Sequence, residues 1–154
     1  YTLAVCPAIS PQHTVEQIAG NVIYERYFMG KWQALWRQKQ AAFPHLYDFS
    51  AMNRLGSIHT LTEVFIKEHT HFDDLQAYYA AYDLRGEVLD GVNATVLAAS
   101  DDPIIPVQHY ESLPDSIGVN LTQRGGHTAY IKNWQLESWV DDYSRAFFTE
   151  RLNS

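Results

Sequence analysis

Two short stretches of this sequence carry groups suited to acid–base chemistry. One is Ser100-Asp101-Asp102-Pro103-Ile104-Ile105-Pro106, and the other is Arg124-Gly125-Gly126-His127. A carboxylate can orient an imidazole, and a histidine presented on a glycine turn can take up and return a proton. Pro103 confines Asp102 to extended backbone, while two successive glycines allow a sharp change of direction before His127. Each stretch also has an ordinary explanation. Asp-Asp-Pro is a common turn in which Asp101 bonds the loop, and a loop histidine often just bonds a neighbour.

The elements around them give the pair more weight. Three apolar, β-rich runs stand out, at residues 2–6, 94–99 and 117–122. The first two are apolar throughout, the pattern of parallel strands covered on both faces. Asp102 follows the second run and His127 the third, so both fall just beyond strand carboxyl ends. That rim is where open α/β sheets gather their reactive groups. Adjacent parallel strands lie about 4.8 Å apart, so residues just past two such strands can touch. The order acid, strand, histidine is the one a Ser…Asp…His triad needs. Chemistry alone leaves open whether Asp101 or Asp102 is the acid.

Helical sequence fills the gaps. Residues 107–113 form a short helix before Pro114, and residues 137–152 show an apolar stripe of Trp139, Val140, Tyr143, Phe147 and Leu152. About 85 residues separate the first two strands, far beyond a simple crossover. This insertion is aromatic and helical: residues 21–42 carry Tyr24, Tyr27, Phe28, Trp32 and Trp36, with Gly30 as an interruption. Thr60-Leu61-Thr62-Glu63 reads as a capping box, and Asp73 or Asp74 as the cap of a helix over 75–84. The insertion's rings, with Phe65, Tyr78, Tyr79 and Tyr82, either form its own core or line an apolar acyl pocket. The expected division is a core strand at 1–9, a helical cap at 10–92, and a C-terminal core at 93–154.

Other candidates rank lower. His69-Thr70-His71-Phe72-Asp73-Asp74 spaces two histidines and a carboxylate as a zinc site can, so a metal-dependent hydrolase using His69, His71 and Asp73 is a weaker alternative. The single cysteine, Cys6, reads as a small buried hydrophobe and fits a reducing, cytoplasmic setting. The sequons at Asn93 and Asn120 fall at or inside expected buried strands. The net charge of -7 argues against a nucleic-acid partner, and no apolar run is long enough to span a bilayer. The opening Tyr1-Thr2-Leu3-Ala4-Val5-Cys6 reads as a strand entered in mid-fold, so a longer parent protein is expected.

The segment 98–106 resembles the acid loop of α/β-hydrolases, and 123–130 resembles their histidine loop. His71-Phe72-Asp73-Asp74-Leu75-Gln76-Ala77-Tyr78-Tyr79 is similar to a stretch of the YheT-like branch, as is the final helix from Trp139 to Phe148. The resemblance implies the C-terminal part of an α/β-hydrolase: three parallel strands with a large helical cap. It implies a carboxylesterase- or lipase-like serine hydrolase in which Asp102 and His127 support the nucleophile. The substrate would be a small ester with an apolar acyl part, and no metal or organic cofactor is implied. None of the nine serines sits in G-x-S-x-G; Leu55-Gly56-Ser57-Ile58-His59 lacks the second glycine. The nucleophile and oxyanion hole are therefore expected in an N-terminal half. A non-catalytic binding or structural piece that keeps the fold is the other alternative.

Overall fold

A computed structural model describes residues 1–153. They form an α/β protein with three parallel strands and six α-helices, divided into two compact units. One unit comprises Tyr1–Ser10 and Leu84–Ser154, the other Pro11–Asp83. Residues 84–92 thus belong with the strands. None of the described helices is long and apolar enough to cross a membrane.

The sheet order is β1-β2-β3, with β1 at Leu3–Val5, β2 at Ala94–Ala99 and β3 at Ile117–Thr122. Central β2 is buried on both faces from Val96 to Ala99, as its unbroken apolar run requires. In β1, Val5 pairs with Leu97; in β2, Ala99 pairs with Thr122. This register brings all three strands to a common carboxyl rim. Beneath the rim, Cys6, Leu97, Ala99 and Tyr130 form a buried cluster, with Trp139, Val140 and Tyr143 of α6 (Trp139–Leu152) packed on it. Ser138 caps α6 by accepting the Asp141 N–H. Phe147 is buried too, but Leu152 is 81% exposed and lies off the expected stripe.

β3 departs from the expectation of buried strands. Only Ile117 is buried in it, and Asn120 is exposed, its amide donating to the Tyr143 hydroxyl. Asn93, just before β2, is exposed as well. β3 is an edge strand, with a strand neighbour on one side only among the described residues. Between β2 and β3, α5 is a single turn, Gln108–Glu111.

The second unit is helical: α1 (Pro11–Ala19), α2 (Val22–Ala42), α3 (Ile58–His69) and α4 (Leu75–Tyr82). Pro11 occupies the first position of α1, where its missing N–H costs nothing. Asn21 caps α2 by accepting from Ile23 and Tyr24. Gly30 does not interrupt this helix, since 21 residues of cooperative hydrogen bonding outweigh its roughly 1 kcal/mol penalty. The capping box is also overruled. Helix α3 begins at Ile58, and Thr62 lies inside it, donating to the Ile58 carbonyl. The Ile58 N–H is satisfied from α2 instead, by the Glu25 carboxylate at 3.1 Å. Asp74 caps α4 as anticipated, through the Ala77 N–H.

Candidate active site

The strand-end loops are built by backbone bonds that extend the sheet's ladder. The Ser100 N–H and hydroxyl both donate to the Thr122 carbonyl, and the Thr122 hydroxyl lies between the Ala98 and Arg124 carbonyls. The loop after β2 is thereby tied to the loop after β3 before either reactive group is placed.

Asp102 then turns inward. Its Oδ1 accepts the N–H groups of Ile104 (2.8 Å) and Ile105 (3.0 Å), folding the aspartate back over Pro103. Its Oδ2 accepts the Nδ1–H of His127 at 3.0 Å, the carboxylate having no proton to give. The Asp102 side chain is 1% exposed, that of His127 33%. A buried carboxylate is costly unless donors replace its water; here three do. The apolar Ile104 and Ile105, both buried, hold this turn against the core.

Asp101 does something different. Its Oδ1 accepts the N–H groups of Gly125 (2.9 Å) and Gly126 (2.8 Å) and so clamps the glycine turn that presents His127. The geometry therefore separates the aspartates: Asp102 faces the imidazole, Asp101 holds its loop. Both glycines are required. A Cβ on Gly125 would meet the Tyr130 ring at 2.5 Å, and Gly126 has φ +53°. Thr128 (φ 67°) and Tyr130 (φ 39°) are also left-handed, a concentration of strain that persists only where surroundings enforce it. The Gly125 carbonyl supplies part of that enforcement by accepting the Ala129 and Tyr130 N–H groups.

Sequence reasoning overlooked one neighbour. Cys6 is 4% exposed and belongs to the core, as expected of a small hydrophobe. Yet its sulfur also belongs to the rim: Sγ, a carboxylate oxygen of Asp102 and a ring nitrogen of His127 all lie within 4.8 Å of one another. Sγ lies 3.4 Å from the Tyr130 hydroxyl and donates to the Gly126 carbonyl at 3.8 Å. The Cys6 backbone is left-handed (φ 45°), with its N–H bound to the Leu97 carbonyl. Burial raises the thiol's pKa above the ordinary range, and the Asp102 charge adds to the rise. The thiol is thus kept neutral and is a poor nucleophile. The rule that selected Asp102 and His127, residues just past strand ends, selects Cys6 when applied to β1.

His69, His71 and Asp73 form no comparable group. Among the described residues, no other three His, Cys, Asp or Glu side chains gather as closely as Cys6, Asp102 and His127. The His69 ring leans on Phe49 and Phe65, and the His71 ring on Phe72. The insertion's aromatics divide likewise: Trp36 and Tyr79 are core, whereas Tyr27 and Tyr82 are half exposed or more.

No family, no curated protein and no solved structure matches the chain in comparisons with known proteins.

Proposed function

We propose that this chain supplies the acid and the base of a Ser-Asp-His ester hydrolase of the α/β-hydrolase kind, with the serine outside these 154 residues. The observation that carries the reading is the 3.0 Å bond from His127 Nδ1 to a buried carboxylate fixed by two backbone amides. With Nδ1–H committed to Asp102, the basic nitrogen of His127 is Nε2. It would take the serine proton as the hydroxyl attacks the ester carbonyl, then return it to the departing alkoxide. Water would release the acyl group by the same steps. Asp102 would hold the tautomer and stabilise the imidazolium throughout. The parallel topology and the rim position of both loops also agree with the α/β-hydrolase order. An ester with an apolar acyl part is the proposed substrate class, on the resemblance to the YheT-like branch.

A fluorophosphonate probe, which labels activated serines, tests this reading. In the full-length polypeptide one serine outside residues 1–154 should be labelled, and His127→Ala should abolish the labelling. The 154-residue chain alone should take up no label and should turn over no p-nitrophenyl ester above its own His127→Ala control. Stoichiometric labelling of a serine within the chain, or undiminished labelling in full-length His127→Ala, overturns the proposal. A full-length protein that takes no label would be the non-catalytic alternative.

A further inference from the structure

We propose that Cys6, Asp102 and His127 form a binding site for a thiophilic divalent cation, zinc in the first instance. The three side chains offer one sulfur, one carboxylate oxygen and one imidazole nitrogen, all within 4.8 Å of one another at the ends of three parallel strands. These are the ligand types of tetrahedral zinc, with bonds of about 2.3 Å to sulfur and about 2.0–2.2 Å to nitrogen and oxygen. Such a centre sets its ligand atoms roughly 3.3–3.7 Å apart. The Asp102–His127 pair, at 3.0 Å, is nearly at that spacing. That pair must open slightly and the thiol must close in, each by an amount on the order of 1 Å or less. Three protein ligands leave a fourth position for water, and the His127 side chain is 33% exposed.

The surroundings suit a cation. Asp102 keeps its other oxygen on the Ile104 and Ile105 amides, the outer-shell support that ligating carboxylates usually have. The Tyr130 hydroxyl, 3.4 Å from Sγ, can donate to a bound thiolate. The choice of cation follows from the sulfur: magnesium and calcium prefer all-oxygen shells, whereas zinc and cobalt accept thiolate and imidazole.

Binding balances as a ligand exchange. The Sγ–H bond breaks and its proton goes to solvent as the sulfur–metal bond forms. His127 stays neutral by carrying its proton on Nε2 while Nδ1 binds, and Asp102 Oδ2 exchanges the N–H for the metal. Metal and hydrogen bond compete for the same oxygen and nitrogen, so the two states exclude one another. The proposal does not depend on the ester-hydrolase reading, because the ligands are the same whatever base His127 serves as.

Cobalt(II) titrated into the reduced full chain provides the test, since thiolate ligation gives a near-ultraviolet charge-transfer band that oxygen and nitrogen ligands do not. The wild-type chain should develop the band at one equivalent, with zinc abolishing it and excess magnesium leaving it in place. Cys6→Ser should lose it entirely, and circular dichroism should show that variant folded. His127→Ala, at a partly exposed position, should weaken zinc by at least about tenfold in competition. The double variant His69→Ala/His71→Ala should keep the band unchanged. No charge-transfer band in the wild-type chain, undiminished zinc affinity in His127→Ala, or loss of the band in the His69/His71 variant overturns the site.

Discussion

Stacked rings and buried aliphatic side chains pack the core of residues 11–83, whereas bonds between backbone amides and carboxylates hold the strand-end loops of the other unit. In the helical unit Trp36 stacks on Phe49 and Phe65 at 5.7 and 5.9 Å, and the His69 ring joins the same group. Its polar groups serve as caps: Asn21 for α2, Glu25 for α3, Asp74 for α4. In the sheet unit, Asp101, Asp102, Gly125, Gly126 and His127 bind one another across two loops. Aromatic packing tolerates imprecision in its polar groups because its stabilisation is non-directional. A hydrogen-bonded rim does not, and that is why titratable groups with fixed geometry arise there. The difference predicts that substitutions in the helical unit act on stability and those at the rim act on chemistry.

The largest effect expected is at Asp102. On the proposed function, Asp102→Asn in the full-length polypeptide should lower kcat by about 10⁴, or roughly 5 kcal/mol of barrier. KM should change little where binding precedes slow chemistry, and steady-state kinetics on a variant shown folded by circular dichroism would check both. A variant at full activity would remove the contrast between the two units.

Trp36→Ala comes next and should act on stability alone. The ring is 6% exposed, and its removal should cost about 3–5 kcal/mol, read as a lower denaturant midpoint for the loss of helical signal. Retention of the wild-type midpoint would show that the ring cluster is not what holds this unit.

Gly125→Ala joins the two kinds of effect. The new methyl meets the Tyr130 ring at 2.5 Å, so the ring or the turn must move, at about 1–3 kcal/mol. A lower melting temperature should accompany a loss in kcat, because the displaced turn carries His127. Loss of stability with kcat intact would place Tyr130 outside the support of the site.

Asp101→Asn should have the smallest effect, roughly tenfold in kcat, or about 1.4 kcal/mol. Asparagine keeps an oxygen for the Gly125 and Gly126 amides and loses only the assistance of charge. Among folded variants, a loss larger than that of Asp102→Asn would reverse the roles given to the two aspartates.

Much of this molecule is legible in its sequence where one stretch suffices. The runs that become β2 and β3 match the strands residue for residue, because β-rich sequence closed by Asp-Pro or Gly-Gly leaves few local alternatives. The Asp73-Asp74 pair likewise announces the start of α4, with Asp74 as the cap. The start of α3 is not legible, since its first amide is satisfied by Glu25, 33 residues earlier. Nor is the exposure of β3, which depends on what packs against its faces.

The candidate site divides along the same line. Sequence determined that an acid and a histidine follow successive strands, each on a loop stiffened by proline or turned by glycine. Chemistry alone left open which aspartate faces the ring, and the resemblance of 98–106 to an acid loop pointed to Asp102. The register of Ala99 with Thr122 and the amides of Ile104 and Ile105 decided that Asp102 turns to His127 and Asp101 to the glycines. The position of Cys6 was hidden more deeply, 120 residues from the Gly126 carbonyl that its thiol approaches. The strand-end rule would have pointed to Cys6, but it is the pairing of β1 with β2, a long-range choice, that brings that sulfur to the rim.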